Sequence, residues 1–410
     1  MIFKLKTNIH VVALFVMLFA FLLYLTTWNR QFVGYEMDVL NTAQRLLEGE
    51  FIARQIGISG ALLYVPFILL FKLSGSSDLF WLSIVPVIYS ALTVYLTSYC
   101  VWFLTKKIRT SVMVTSIITA CSIIWPYANV GMEYQLTFYA TLLLFVLLRW
   151  KNRGSSLLLP GIVLALLSTA KIYGVVFILP YAVFLGFSYM KINPNRKNLI
   201  RDLLYAFLPA AIVIILSLLL KYKTYGQLTG LYTLSYETAS SIWWTGFYGI
   251  FFSANKSIFL YCPMLVLTFF YWKKFILNHK ETALFILLSF IAILLIRAPF
   301  DYWSDEFWGI RYFVPIMGML HLPLIHAFDK KFIPAKILSF SILGLLAIYI
   351  QILGASYSYS KQLEILSSAN LDTLHNIQYE PRLSSIRLHH ALLTSFILKT
   401  DKELVFKEYS

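Results

Sequence analysis

Apolar runs long enough to cross a bilayer recur along almost the whole chain, and no other feature limits its fold as strongly. A hydrocarbon core of ~30 Å takes about 20 apolar residues per helix. Runs of that kind fall at roughly 10–28, 79–105, 110–127, 132–150, 155–170, 172–190, 201–220, 257–274, 281–298, 311–328 and 333–354. Lipid offers backbone groups no hydrogen-bond partners, so these runs are read as helices. Composition agrees: of 410 residues 59% are hydrophobic and 13% charged, with a mean hydropathy of +0.74, whereas a soluble domain carries about a quarter charged residues. The expected fold class is an all-α polytopic membrane protein with about eleven transmembrane helices. A cytosolic enzyme, a nucleic-acid binder and a secreted disulfide scaffold are excluded.

The net charge of +15 is explained by topology and needs no nucleic-acid partner. With the N-terminus cytoplasmic, the inner loops and helix ends carry 18 basic residues, among them Lys4, Lys6, Lys106, Lys107, Arg109, Lys151, Lys191, Lys273, Lys330 and Lys331. Only Asp202, Glu281 and Asp329 oppose them there. The run 61–74 is too short to span and contains Lys72. Counting it as a span would put Lys106, Lys107 and Arg109 outside, so it is expected as a half-helix at the interface. The first apolar run is long enough to span and lacks a small-residue cleavage site, so no cleavable signal peptide is expected. This layout describes a multi-pass plasma-membrane protein with its C-terminus outside. The inner loops are short, so chemistry is expected on the extracytoplasmic face. A membrane domain 1–354 would build its site from the outer loops 29–78, 221–256 and 298–310. An amphipathic tail, 355–410, would lie on the outer surface or over the cavity.

Cys100, Cys121 and Cys262 sit inside apolar runs and read as buried thiols. His321 and His326 lie five positions apart, on different sides of a helix, and make no metal site. The informative residues are charges at the outer ends of spans. Glu36 and Asp38 open an amphipathic pattern with Leu40, Ala43, Leu46 and Leu47 on one stripe and Gly49 at its end. Glu133 lies between two spans. Lys171 sits in a hairpin of two spans with almost no loop, where an unpaired ammonium costs a few kcal/mol. Asp301, Asp305, Glu306, Arg297, Arg311, Trp303 and Trp308 crowd one short connection, and Lys256 stands at the mouth of another span. Carboxylates that activate a hydroxyl, beside cations that hold a phosphate leaving group, are what glycosyl transfer from a lipid phosphate requires.

These residues resemble the GT-C superfamily of polyprenyl-phosphate-sugar-dependent glycosyltransferases, most of all the branch with the aminoarabinose and protein O-mannosyl transferases. Glu36-Met37-Asp38 is similar to that family's acidic-x-acidic motif in the first outer loop. The pattern 39–48 and the run 61–74 are similar to its two jutting helices, although the proline-rich opening of the second is absent. The stretch 249–263, from Gly249 through Lys256 to Pro263, and the stretch 302–315, from Tyr302 through Arg311 to Pro315, resemble two further family stretches.

The resemblance implies an inverting hexosyl or pentosyl transferase that moves a sugar from a polyprenyl-phosphate carrier to a hydroxyl of a glycan, lipid or protein. Glu36 or Asp38 would be the catalytic base. Lys171, Arg311 and Lys256 would hold the donor phosphate. Glu133, Tyr35, Trp303, Asp305, Glu306 and Trp308 would contact sugar or acceptor. No metal is expected, although an acidic-x-acidic pair can hold a divalent cation. The alternative class is a transporter or flippase for an anionic lipid or lipid-linked sugar. Transporters usually carry inverted repeats and midplane sites, and neither is visible here.

Overall fold

The helices begin and end where local chemistry tells them to. A computed structural model describes residues 8–28, 30–32, 36–50, 57–75, 78–154, 156–192, 199–226, 243–300, 303, 307–328, 334–357 and 381–398. Among these the backbone is almost entirely helical, with no strand. Helix α1 (Ile9–Leu25) starts at Asn8, whose side chain accepts the amide of His10 at 3.0 Å. Helix α2 (Glu36–Leu47) carries Glu36 and Asp38 in its first turn and Arg45 in its last, as its dipole favours. Gly49, at φ 82°, ends it. The half-helix is two short pieces, α3 (Ile58–Leu62) and α4 (Val65–Leu73).

The remaining elements are α5 (Val85–Thr105), α6 (Ile108–Cys121), α7 (Ile124–Val130), α8 (Tyr134–Arg153), α9 (Leu158–Ala170), α10 (Ile178–Ile192), α11 (Leu199–Tyr225), α12 (Trp243–Phe252), α13 (Ile258–Tyr261), α14 (Met264–Asn278), α15 (Lys280–Arg297), α16 (Val314–Leu320), α17 (Pro334–Ser356) and α18 (Ser385–Leu398).

The fold is that of an all-α polytopic membrane protein. Four continuous described stretches are long and apolar enough to cross a membrane alone: Leu79–Thr105, Tyr173–Lys191, Leu199–Lys223 and Pro334–Ser356. Three apolar runs expected as straight spans are broken. The run 110–127 becomes α6 and α7, bent by 54°; Pro126 sits in the second piece. The run 257–274 breaks at Cys262-Pro263 between α13 and α14. The run 311–328 forms α16 between two 3-10 turns, Arg311–Phe313 and Leu322–Phe328, with Pro315 and Pro323 inside it. Each proline removes a backbone donor and disfavours helix in the residue before it.

Packing follows small residues. Helix α11 lies along α9, and a Cβ on Gly161 would come within 2.2 Å of the Tyr205 carbonyl. Its other side exposes Ile200, Leu204, Leu208, Ile212, Ile215 and Leu219, the face a lipid-contacting helix presents. Helix α5 packs on α1 and α8, α10 on α15, α16 on α8, and α17 on α6, α7 and α18. At one end of the bundle, buried Glu281 joins Lys151 at 3.0 Å and Lys191 at 2.5 Å, tying α8, α10 and α15 together. The opposite end holds the starts of α2 and α8 and the finish of α9 and α15.

Candidate active site

Glu133 is the centre of that opposite end. It precedes α8 with φ 62°, directly after Gly131 at φ 70° and Met132. A side chain other than glycine in the left-handed region costs about 1–2 kcal/mol, so surrounding contacts must hold it there. Glu133 has them, although it is 0% exposed. Lys171 Nζ reaches its Oε1 at 2.7 Å and Arg311 Nε lies 3.4 Å from the same oxygen. The Tyr173 hydroxyl donates to Oε2. Removing one partner from such a buried pair costs about 3–5 kcal/mol, because the other charge is left behind.

Each cation is delivered by a break in regular structure. Lys171 ends α9 in extended backbone at φ −148°, and a 3-10 turn, Ile172–Phe177, follows at once. The chain folds back so closely that a Cβ on Gly174 would lie 2.0 Å from the Leu167 carbonyl. Arg311 opens the turn before α16. Its guanidinium donates to the Tyr312 hydroxyl at 2.7 Å and lies 4.9 Å over the Phe307 ring. Arg297, at the end of α15, stacks 3.5 Å over the ring of Tyr312, and Tyr312 meets Tyr173 edge-on at 5.7 Å.

The first outer loop is fastened beside this cluster. Gly57 donates its amide to the Ala170 carbonyl at 3.1 Å, and a Cβ there would collide with the Thr169 carbonyl at 1.4 Å. Ser59 donates to the Leu166 carbonyl at 2.6 Å, and Tyr139 donates to the Ser59 carbonyl at 2.8 Å. Helix α3 is thus locked onto the last turn of α9. Tyr64, between α3 and α4, donates to Glu36 Oε1 at 2.5 Å. Burial, and then the Glu36 carboxylate, push the Tyr64 hydroxyl well above its ordinary range, so it stays a donor. Glu36 itself is buried, with its carboxylate against Gly131. Asp38 is partly exposed, two residues further along α2. Residues two apart on a helix face different ways, so Glu36 and Asp38 leave α2 in different directions.

The structure brings together Glu36, Glu133, Lys171 and Arg311, with Asp38 on the same helix turn as Glu36. Lys256 is fully buried, and its ammonium donates to the Phe307 carbonyl, where it pins the segment before Arg311. Trp303 and Trp308 are enclosed and do not offer ring faces to a sugar. A Cβ on Gly249 would meet Trp303 at 2.2 Å, and Trp308 is wedged against Gly354 and edge-on to Tyr261 at 5.0 Å. Tyr35, Asp305 and Glu306 lie outside the described residues. Sequence reasoning named Arg297 among the crowded charges but gave no role to it or to Tyr64, Tyr173, Gly131 and Tyr312. Tyr173 and Tyr312 each stand within two residues of a cation at a span mouth, a signal that could have found them.

Among solved structures, the chain is similar to the oligosaccharyltransferase of Archaeoglobus fulgidus in its apo form. The superposition covers 90% of this chain with a TM-score of 0.55 and 12% sequence identity. The chain spans 59% of that protein's length. Its fold is the GT-C fold. No protein-family model matches the chain, and no curated protein is similar to it in sequence.

Proposed function

We propose that this chain is an inverting glycosyltransferase that moves a sugar from a polyprenyl-phosphate carrier to an acceptor hydroxyl. One observation carries the reading: on a GT-C fold, the acids of α2 and the Glu133–Lys171–Arg311 cluster meet at a single end of the bundle. The similar solved structure, an oligosaccharyltransferase, supports the same class. The site end lies opposite the lysine-rich end, which the positive-inside rule assigns to the cytoplasm, so the reaction belongs on the extracytoplasmic face.

Lys171 and Arg311 hold the donor phosphate, and Glu133 keeps the two cations apart from lipid and correctly placed until it arrives. Asp38 takes the proton of the acceptor hydroxyl. Its partial exposure lets an acceptor reach it, whereas Glu36 is buried under Tyr64 and holds α2 in place. The acceptor oxygen attacks C1 as the bond from C1 to the phosphate oxygen breaks. The phosphate leaves with that electron pair, stabilised by Lys171 and Arg311. The isoprenoid lies in an apolar cavity of about 350 Å³ lined by Phe251, Phe259, Phe269, Trp272, Phe290 and Leu320. Phe290 meets Phe313 at 5.0 Å, which joins the cavity to the turn that carries Arg311.

The test incubates purified protein with synthetic polyprenyl-phosphate hexoses and pentoses and an envelope extract, and follows release of polyprenyl phosphate. Wild type releases it, with inversion at C1 of the product. Asp38→Asn is slower by a factor of about 10²–10⁴. Wild-type release by Asp38→Asn contradicts the assignment of the base, whatever Glu36→Gln does.

A further inference from the structure

The C-terminal helix α18 reaches the segment that presents Arg311. The His389 ring stacks on Trp308 with centroids 4.8 Å apart and planes 26° apart. Its Nδ1 bonds the Leu353 carbonyl of α17 at 2.9 Å, and Tyr357 closes edge-on at 5.7 Å. His389 is buried, as are Leu388 and Leu392 beside it. The short stretch 307–309 is held from several further sides. Tyr127 of α7 donates to the Trp308 carbonyl at 2.9 Å, and Lys256 donates to the Phe307 carbonyl. Gly309 at φ 60° lies so near Tyr261 that a Cβ would sit 2.8 Å from its ring. On the far side of this stretch, Arg311 rests on the Phe307 ring. Among the described residues, these other clamps belong to the helical bundle before residue 357, and His389 brings in α18.

We infer that α18 is part of the donor site, with His389 acting through the Trp308 stack as a positioning residue that fixes the 307–311 segment and so aims Arg311 at the donor phosphate. The inference rests on the proposed function for its substrate, and it gives the outer tail a defined task. His389 touches no reacting atom. Its work is to cover a face of the Trp308 ring, beside the contacts made by Tyr261 and Gly354. An indole–imidazole stack is worth a fraction to about one tenfold step in an equilibrium, so the effect is a graded loosening and not an unfolding.

The experiment uses the full-length protein in lipid nanodiscs with two readouts: hydrogen–deuterium exchange by mass spectrometry, and binding of a polyprenyl phosphate. In His389→Ala, exchange across 307–313 rises about three- to tenfold while α8 stays as in wild type, and polyprenyl phosphate affinity falls by a similar factor. His389→Phe, which keeps a stacking ring and loses the bond to Leu353, restores most of both. Wild-type exchange at 307–313 in His389→Ala overturns the inference. So does a rise of equal size throughout the bundle, or raised exchange with unchanged affinity, each of which makes α18 a structural cover only. A wild type that binds no polyprenyl phosphate overturns the proposed function instead, and the exchange readout alone then decides whether α18 clamps the segment.

Discussion

The carboxylate of Glu36 occupies the space that a side chain on Gly131 would need: a Cβ there would lie 2.2 Å from Glu36 Oε2. Gly131 also has φ 70°, so glycine is required twice over. This contact links the first turn of α2 to the loop that places Glu133. Gly131→Ala is expected to displace Glu36 and tilt α2. Overpacking of this kind costs about 1–3 kcal/mol. Thermal unfolding should shift down and sugar transfer should fall at least about tenfold; a variant with wild-type transfer would show that the contact is incidental.

Glu133 and Lys171 should be energetically coupled. Glu133→Gln leaves two cations facing a neutral amide, and Lys171→Met leaves a carboxylate with Arg311 and Tyr173. The double variant removes both charges together. Residues in direct contact show coupling of about 0.5–3 kcal/mol in such cycles, so the double variant should be more stable than the sum of the singles allows. Additive losses in chemical denaturation would mean that the ion pair does not form in the membrane.

Filling the apolar cavity should separate tail recognition from chemistry. Leu287 lines it on α15, and Leu287→Trp adds bulk without touching the charged cluster. Affinity for a long-chain polyprenyl phosphate should drop by roughly tenfold, about 1.4 kcal/mol, while a short-chain analogue binds as before. Equal losses for both chain lengths would place the tail elsewhere.

Docking of α18 should weaken in acid. Burial pushes His389 down to about 4 from an ordinary 6.5, and nearby Lys256 acts in the same direction. The rings of Trp308 and Tyr357 that also face it carry no charge. Between those two values the undocked helix binds a proton that the docked helix does not, so docking loses stability as pH falls from 6.5 towards 4 and is unaffected above that window. Exchange of 385–398, corrected for its intrinsic pH dependence, should rise across that window in wild type and stay flat in His389→Phe. A flat wild-type profile would remove His389 from the coupling.

Much of this could be read from the chain itself, because apolar length, charge asymmetry and the first-turn acids of α2 act locally. Lys171 stood out for the same reason: an ammonium at a hairpin of spans needs a partner. The partner could not be read. Tyr64 and Glu36 are 28 residues apart and Tyr173 and Glu133 are 40 apart, and no periodicity links them. The breaks in three apolar runs were written in Pro126, Pro263, Pro315 and Pro323, but hydropathy summed over a window cannot see a missing amide. The burial of Trp303 and Trp308 was hidden for a related reason. Aromatics at a span mouth serve equally as an interfacial belt, a sugar platform or core, and only the glycines facing them, Gly249 and Gly354, decide between these.

The central claim is that Lys171 and Arg311 form a phosphate site for a lipid carrier. Native mass spectrometry of the purified protein tests it most directly, with polyprenyl phosphate added to wild type and to a Lys171→Ala, Arg311→Ala double variant. Wild type is expected to hold one carrier lipid through detergent release, and the double variant to lose it. A wild type that retains none, or a double variant that retains it equally well, would contradict the account.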